Sequence, residues 1–168
     1  MNERALSLSI AFSKQRTKKL FFLSNVFFVC GIEIFFGLFQ SKTLSPDLNL
    51  VIDVSANITT ITMTGPSNAW FAVGFGGSTM ASGADVIRTD GTTILDARTT
   101  RRALPTEDAS QDLTVVSNTV SGNQRTIVLT RANNTGDDND FVFTNNLTSL
   151  PIIWANGTST GYAYHGRR

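Results

Sequence analysis

From Leu48 onward the apolar residues recur at every second position, and that period restricts the fold more than any other feature of the chain. In LNLVIDV (residues 48–54), Leu48, Leu50, Ile52 and Val54 alternate with Asn49, Val51 and Asp53. Alternation of this kind puts one set of side chains on one face of an extended strand. The same reading applies to TITMT (60–64), DVIRT (85–89), TTILDA (92–97), LTVVS (113–117), RTIVLTR (125–131), DFVF (140–143) and PIIWA (151–155). WFAVGFG (70–76) is almost continuously apolar, as in a strand covered on both faces. Short runs rich in Val, Ile, Thr, Phe and Trp, punctuated by turn residues, predict an all-β sandwich or barrel. Asp90-Gly91 and Gly122-Asn123 each separate two runs and suit tight hairpins. No stretch after residue 42 sustains a helical period. Residues 104–113 (LPTEDASQDL) are expected to hold one helical turn capped by Thr106, and residues 40–47 a short linker.

The N-terminus has a different character. Residues 14–39, KQRTKKLFFLSNVFFVCGIEIFFGLF, place a basic patch ahead of an apolar run. That is the order of a secretory signal, and residues 20–39 are also about as long as a membrane span. Ser24, Asn25 and Glu33 weigh against a span. Three readings stay open: a signal peptide, a retained signal anchor through residues 20–39, and misassigned upstream sequence. The first two put the body outside the cytoplasm, either secreted or held at the cell surface. The expected division is therefore an N-terminal signal peptide or anchor over residues 1–42 and one domain over 43–168, a length that supports a single core.

Charge and rare residues narrow the chemistry. Residues 42–168 carry nine basic and eleven acidic side chains, so the body lacks the electrostatic footprint of a nucleic-acid binder. Cys30 is the only cysteine, which excludes an intrachain disulfide and a cysteine-rich metal site. His165 is the only histidine, so any imidazole chemistry runs through it, and no G-x-S-x-G elbow supports a serine triad.

The segment GFGGSTMASGADVI (74–87) invites comparison with a phosphate-binding loop. A dinucleotide fingerprint needs a strand, then glycines, then a helix. Here a second strand follows the glycines, which removes that reading. Gly74 and Gly76 are instead expected to allow close approach of a side chain or a flat ligand to the strand backbone.

The order of motifs carries a resemblance. WFAVGFGGSTM and ADVI are followed by Pro105, Asp108 and the QDL of residues 111–113, then Thr130-Arg131, DDNDFVF, IIWANG and YAYHGRR. This series resembles the DOMON family, the β-sandwich module related to the cytochrome domain of cellobiose dehydrogenase, over roughly residues 46–168. The resemblance implies an immunoglobulin-like antiparallel β-sandwich. Family members usually continue past the histidine with a closing strand, whereas this chain stops at Arg168; the expectation is a fragment, or a sandwich short of its last strand.

The family divides by ligand. Its haem members hold b-type haem between a methionine just after the GFG strand and a histidine after the IIWA strand. Met80 and His165 stand at those places. The resemblance therefore implies haem b as cofactor, with Met80 and His165 as iron ligands. A thioether and a neutral imidazole suit such an iron, and two axial ligands leave it to transfer electrons rather than to activate oxygen. Gly76 and neighbouring small residues would admit the macrocycle. Tyr162 and Tyr164 would pack at its rim or bond a propionate, and Arg167 and Arg168 would offset propionate charge. The implied partner is a redox protein or membrane cytochrome. Other members bind sugars or proteins without haem, and that alternative stays open.

The remaining residues have plainer readings. Trp70 and Trp154 are expected in the core, with sugar stacking as the lesser reading. Asp85 is expected to be an acceptor that fixes a loop. The DDND cluster (137–140) lacks the spacing of a calcium loop and is expected to be a solvated turn, as is Arg101-Arg102. NIT (57–59), NNT (133–135), NLT (146–148) and NGT (156–158) are glycosylation sequons, relevant to a chain exported by a eukaryote.

Overall fold

The computed structural model describes residues 21–23, 26–28, 38–147 and 149–162. Two five-stranded antiparallel sheets face one another. The first contains β3 (Leu38–Ser45), β4 (Leu48–Val54), β5 (Ile58–Pro66), β10 (Thr114–Ser121) and β11 (Gln124–Ala132), in the spatial order β10-β11-β5-β4-β3. The second contains β6 (Phe71–Phe75), β7 (Asp85–Thr89), β8 (Ile94–Arg98), β9 (Thr106–Glu107) and β12 (Ile152–Asn156), in the order β12-β6-β7-β8-β9. The expected all-β sandwich is thus present. A short separate hairpin pairs β1 (Phe21–Leu23) with β2 (Val26–Phe28). No helix among the described residues is long and apolar enough to cross a membrane.

Strand parity builds the core. Leu48, Leu50, Ile52 and Val54 of β4 and Ile61 and Met63 of β5 point inward from the first sheet with Ile127 and Leu129 of β11. Phe71, Val73 and Phe75 of β6 and Ile87 of β7 meet them from the second. The opposite parity of the first sheet carries Thr60, Thr62, Thr64, Thr126 and Thr130, β-branched residues that suit a solvated strand face.

Three local expectations need correction. Residues 38–45 pair with β4 as an edge strand, so the segment expected to be a linker extends the first sheet. Residues 104–113 form no helical turn: Thr106–Glu107 pairs with β8, and Asp108 N–H then donates to Asp96 O at 3.0 Å, which holds the segment along the sheet edge. DFVF is not a strand. Phe141 N–H donates to the Asp85 carboxylate and Phe143 N–H to Asn133 O, so these amides serve loop contacts rather than a ladder. Their side chains plug the core: the Phe143 ring lies 5.3 Å from Phe75 and 5.1 Å from Phe141.

Phe71 is fully buried at the start of β6, whereas Val116 is 60% exposed on β10. Phe71→Ala should lower unfolding free energy by about 3–5 kcal/mol, while Val116→Ala should change it by less than about 0.5 kcal/mol. Urea denaturation with a shared slope measures both.

Candidate functional site

A buried charge network closes one end of the sandwich. Arg131, near the end of β11, reaches across from the first sheet, and its side chain is fully buried. Its Nη2 donates to Asp85 Oδ2 at 2.6 Å and to Phe141 O at 2.7 Å. Its Nη1 lies 3.8 Å from Asp96 Oδ2 and 3.6 Å from Asp140 Oδ1. Asp85 opens β7, and Asp96 shares the inward face of β8 with Ile94, two residues before it. Asp85 Oδ2 also accepts Phe141 N–H at 2.9 Å, so Asp85 does fix a loop. The three carboxylates come within 4.8 Å of one another, close enough to share a cation. The Arg131 guanidinium stands among them as that cation.

One guanidinium does not balance three carboxylates. Burial pushes Asp96 up to about 7, reinforced by the Asp85 and Asp140 charges and opposed by Arg131. Burial also raises Asp85, against the pull of Arg131 and of the Phe141 amide. Neither Asp96 carboxylate oxygen has a hydrogen-bond partner among the described residues, although its backbone is held by Gln111, whose Oε1 accepts Asp96 N–H and whose Nε2 donates to Asp96 O, each at 2.9 Å. Asp140 corrects the expectation of a wholly solvated DDND turn: its side chain is 3% exposed and faces the guanidinium, while Asp138 remains in solvent. Asp96 drew no notice in the sequence; the available signal was its parity with Ile94, which assigns it to the inward face.

The β6–β7 loop rises from this same end. Gly76 has φ 74°, and a Cβ there would meet Phe141 Cδ2 at 2.7 Å, so the clearance at Gly76 is used by the Phe141 ring. The foot of the loop is tied by Gly76 N–H to Pro151 O at 3.0 Å and by Ala84 N–H to Thr99 Oγ1 at 2.7 Å. At the tip, Ser82 N–H donates to Thr79 O and Ala81 N–H to Thr79 Oγ1, which curls residues 79–82 into a turn. Met80 sits on that turn, half-buried. Beside it an open depression of about 460 Å³ is lined by Ala81, Ser82, Gly83, Arg98, Thr99 and Asn139, among others.

The outward face of the second sheet differs from that of the first. Register puts Ala72, Gly74, Val86, Arg88, Ala97, Ile153 and Ala155 on this one face. Val86 and Ala97 point away from the core yet are buried. A Cβ on Gly74 would lie 2.8 Å from Ile153 Cγ1, so the side chains beside it close over bare backbone. Arg88 is the one cation of this group and is 8% exposed; its Nε has no hydrogen-bond partner among the described residues. The Arg88 guanidinium lies 4.7 Å from the Tyr162 ring centre, and that ring is 5.8 Å from Trp70. Burial raises the Tyr162 hydroxyl, with Arg88 opposing. Trp70 is buried, and Trp154 packs against the core. His165 and Tyr164, with Arg167 and Arg168, lie outside the described residues.

The network predicts a pH dependence. Asp96 keeps its proton in the folded state up to about 7, whereas unfolded it releases it in the ordinary carboxylate range. Its contribution to stability is full below that range, falls as pH rises and is absent above about 7; Asp85 slopes the same way. Urea midpoints should therefore decline from mildly acid to neutral pH, and Asp96→Asn should remove most of the decline. Arg131→Met, which leaves the carboxylates without their cation, should cost about 3–5 kcal/mol near neutral pH.

The family model for the DOMON domain matches residues 46–157. Searches of curated proteins and of solved structures return no match. The matched span runs from the start of β4 through β12 and contains the charge network, the Met80 turn and the small-residue face. The chain belongs to the DOMON family.

Proposed function

We propose that this domain is an extracytoplasmic electron-transfer module that binds b-type haem through Met80 and His165. The observation that carries the reading is the combination of Met80 on a tied turn with a small-residue apolar face bearing one buried cation, Arg88. When bound, haem b supplies one-electron chemistry at its iron. Met80 offers a thioether, which favours the ferrous state. His165, the second ligand of this reading, follows Tyr162 by three residues and lies outside the described residues. Arg88, with an unpartnered Nε, suits a propionate carboxylate, and the apolar face excludes water.

The domain would exchange single electrons with a redox partner protein or a membrane cytochrome and break no bonds itself. The rival reading is a carbohydrate- or protein-binding module without haem. Stacking of a sugar on Trp70 or Trp154 has no support, because one ring is buried and the other packs against the core.

Haem-reconstituted protein should show the sharp reduced bands of a six-coordinate low-spin iron. Met80→Ala and His165→Ala should each abolish that signature. Arg88→Ala should keep it while weakening haem retention about tenfold or more, the scale of a hydrogen bond to a charged group. A spectrum unchanged by both ligand substitutions would overturn the assignment of Met80 and His165. No haem uptake by the folded chain would favour the binding-module reading.

A further inference from the structure

The four sequons place asparagines at 57, 133, 146 and 156 in very different surroundings. We infer that, on export through a eukaryotic secretory pathway, Asn57 and Asn146 carry N-linked oligosaccharide in the folded protein and Asn133 and Asn156 do not. The inference rests on the extracytoplasmic part of the proposed function and is independent of haem. In the reaction, Asn Nδ2 bonds to C1 of the first sugar of a lipid-pyrophosphate-linked oligosaccharide. The C1–O bond to the pyrophosphate breaks, the lipid pyrophosphate leaves, and the amide gives up one proton. Transfer precedes folding, so all four sequons are chemically competent. The fold then selects which modified chains can reach the native state, because a glycan is bulky and must stand in solvent.

Asn57 lies in the turn between β4 and β5 and is exposed. Only its backbone is engaged, through Asn57 O, which accepts Asn133 N–H at 3.0 Å. Asn146 is exposed in the loop that leads from Phe143 to β12. No hydrogen bond among the described residues holds either side-chain amide, so a sugar on Nδ2 breaks none of those bonds.

Asn133 is clamped on both sides. Its Oδ1 accepts the Thr59 hydroxyl at 2.8 Å, and its Nδ2 donates to Ser55 O at 2.8 Å, which ties the β4–β5 turn to the chain leaving β11. The backbone bond from Asn133 to Asn57 also makes the two residues neighbours, so glycans on both would crowd one turn. Asn156 is 6% exposed and pairs with Phe71, so its side chain points inward. A sugar there would have to occupy the core, with a cost beyond the usual penalty for overpacking. Both permitted acceptors lie in connections between strands, and neither belongs to a strand of the second sheet.

The full chain, preceded by a cleavable secretion signal, is expressed in a eukaryotic secretory host. Secreted and cell-retained fractions are treated with peptide-N-glycosidase in heavy-oxygen water, which marks each formerly glycosylated Asn as labelled Asp. Mass mapping of the secreted fraction should find label at Asn57 and Asn146 only. Asn57→Gln and Asn146→Gln should each remove one mobility step, and the double variant should run as the deglycosylated protein. Any label at Asn133 or Asn156 should be confined to retained material. Substantial label at either in secreted, monomeric protein overturns the inference, as does absence of label from both Asn57 and Asn146 in both fractions. A haem spectrum measured on the same secreted protein tests the proposed function separately.

Discussion

A single guanidinium joins the two sheets at one end of this sandwich. Arg131 belongs to the first sheet, Asp85 and Asp96 to the second, and Asp140 to the loop between β11 and β12. Placing these groups inside is energetically expensive, and an apolar cluster of similar volume would often be as stable. What the network adds is direction. Arg131 takes Phe141 O while Asp85 takes Phe141 N–H, so the backbone of one loop residue is held on both sides by the same ion pair. The loop between β11 and β12 crosses the end of the sandwich along a path set by that grip.

The grip on Phe141 propagates toward the Met80 turn. With its backbone held, the Phe141 ring comes down on Gly76 and packs edge-on against Phe143, which in turn meets Phe75 in the core. Gly76 leaves β6 with a positive φ that disfavours any side chain, and the ring fills the space a Cβ would need. The loop that carries Met80 therefore starts from a backbone position defined by interior packing, and it ends at Ala84, where Thr99 holds it again. The ligand role proposed for Met80 would draw on such support, because rigid neighbours reduce the entropy lost on binding.

The strands were legible because their inward residues obey parity; their number and spacing allowed a sandwich or a barrel, and the family resemblance implied the sandwich. Gly74 and Gly76 were legible only as places of close approach; what approaches, Ile153 and Val86 in one case and Phe141 in the other, depends on contacts between distant segments. The charge network was legible in pieces. Asp85 and Arg131 stood within recognisable motifs, but Asp140 belonged to an acidic run that reads as solvated, and Asp96 looked like an ordinary polar residue of a strand. Their burial arises from the meeting of β7, β8, β11 and a loop. DFVF misled for a related reason: its composition suits a strand, but its amides are committed to Asp85 and Asn133 before any neighbouring strand can pair with it.

The two outward faces of the sandwich set the final constraint on function. The first sheet shows solvent a threonine-rich surface, which satisfies water and needs no partner. The second turns outward alanines, a glycine, aliphatic side chains and one arginine whose Nε is left unpartnered. A buried cation on an apolar face costs desolvation and is offset only by a negative or π-rich neighbour. Tyr162 supplies the π face, but no described carboxylate bonds Arg88. The residue therefore has unused capacity for an anion on a face whose other polar strand residue, Glu107, stands exposed at the β9 edge. An amphipathic ligand with a flat apolar body and a carboxylate edge satisfies both conditions at once, whereas a sugar, polar on every edge, would leave most of its hydroxyls unpaired on this face. That asymmetry, more than the identity of any single residue, supports the proposal that the second sheet and the Met80 turn form the ligand-binding side of the domain.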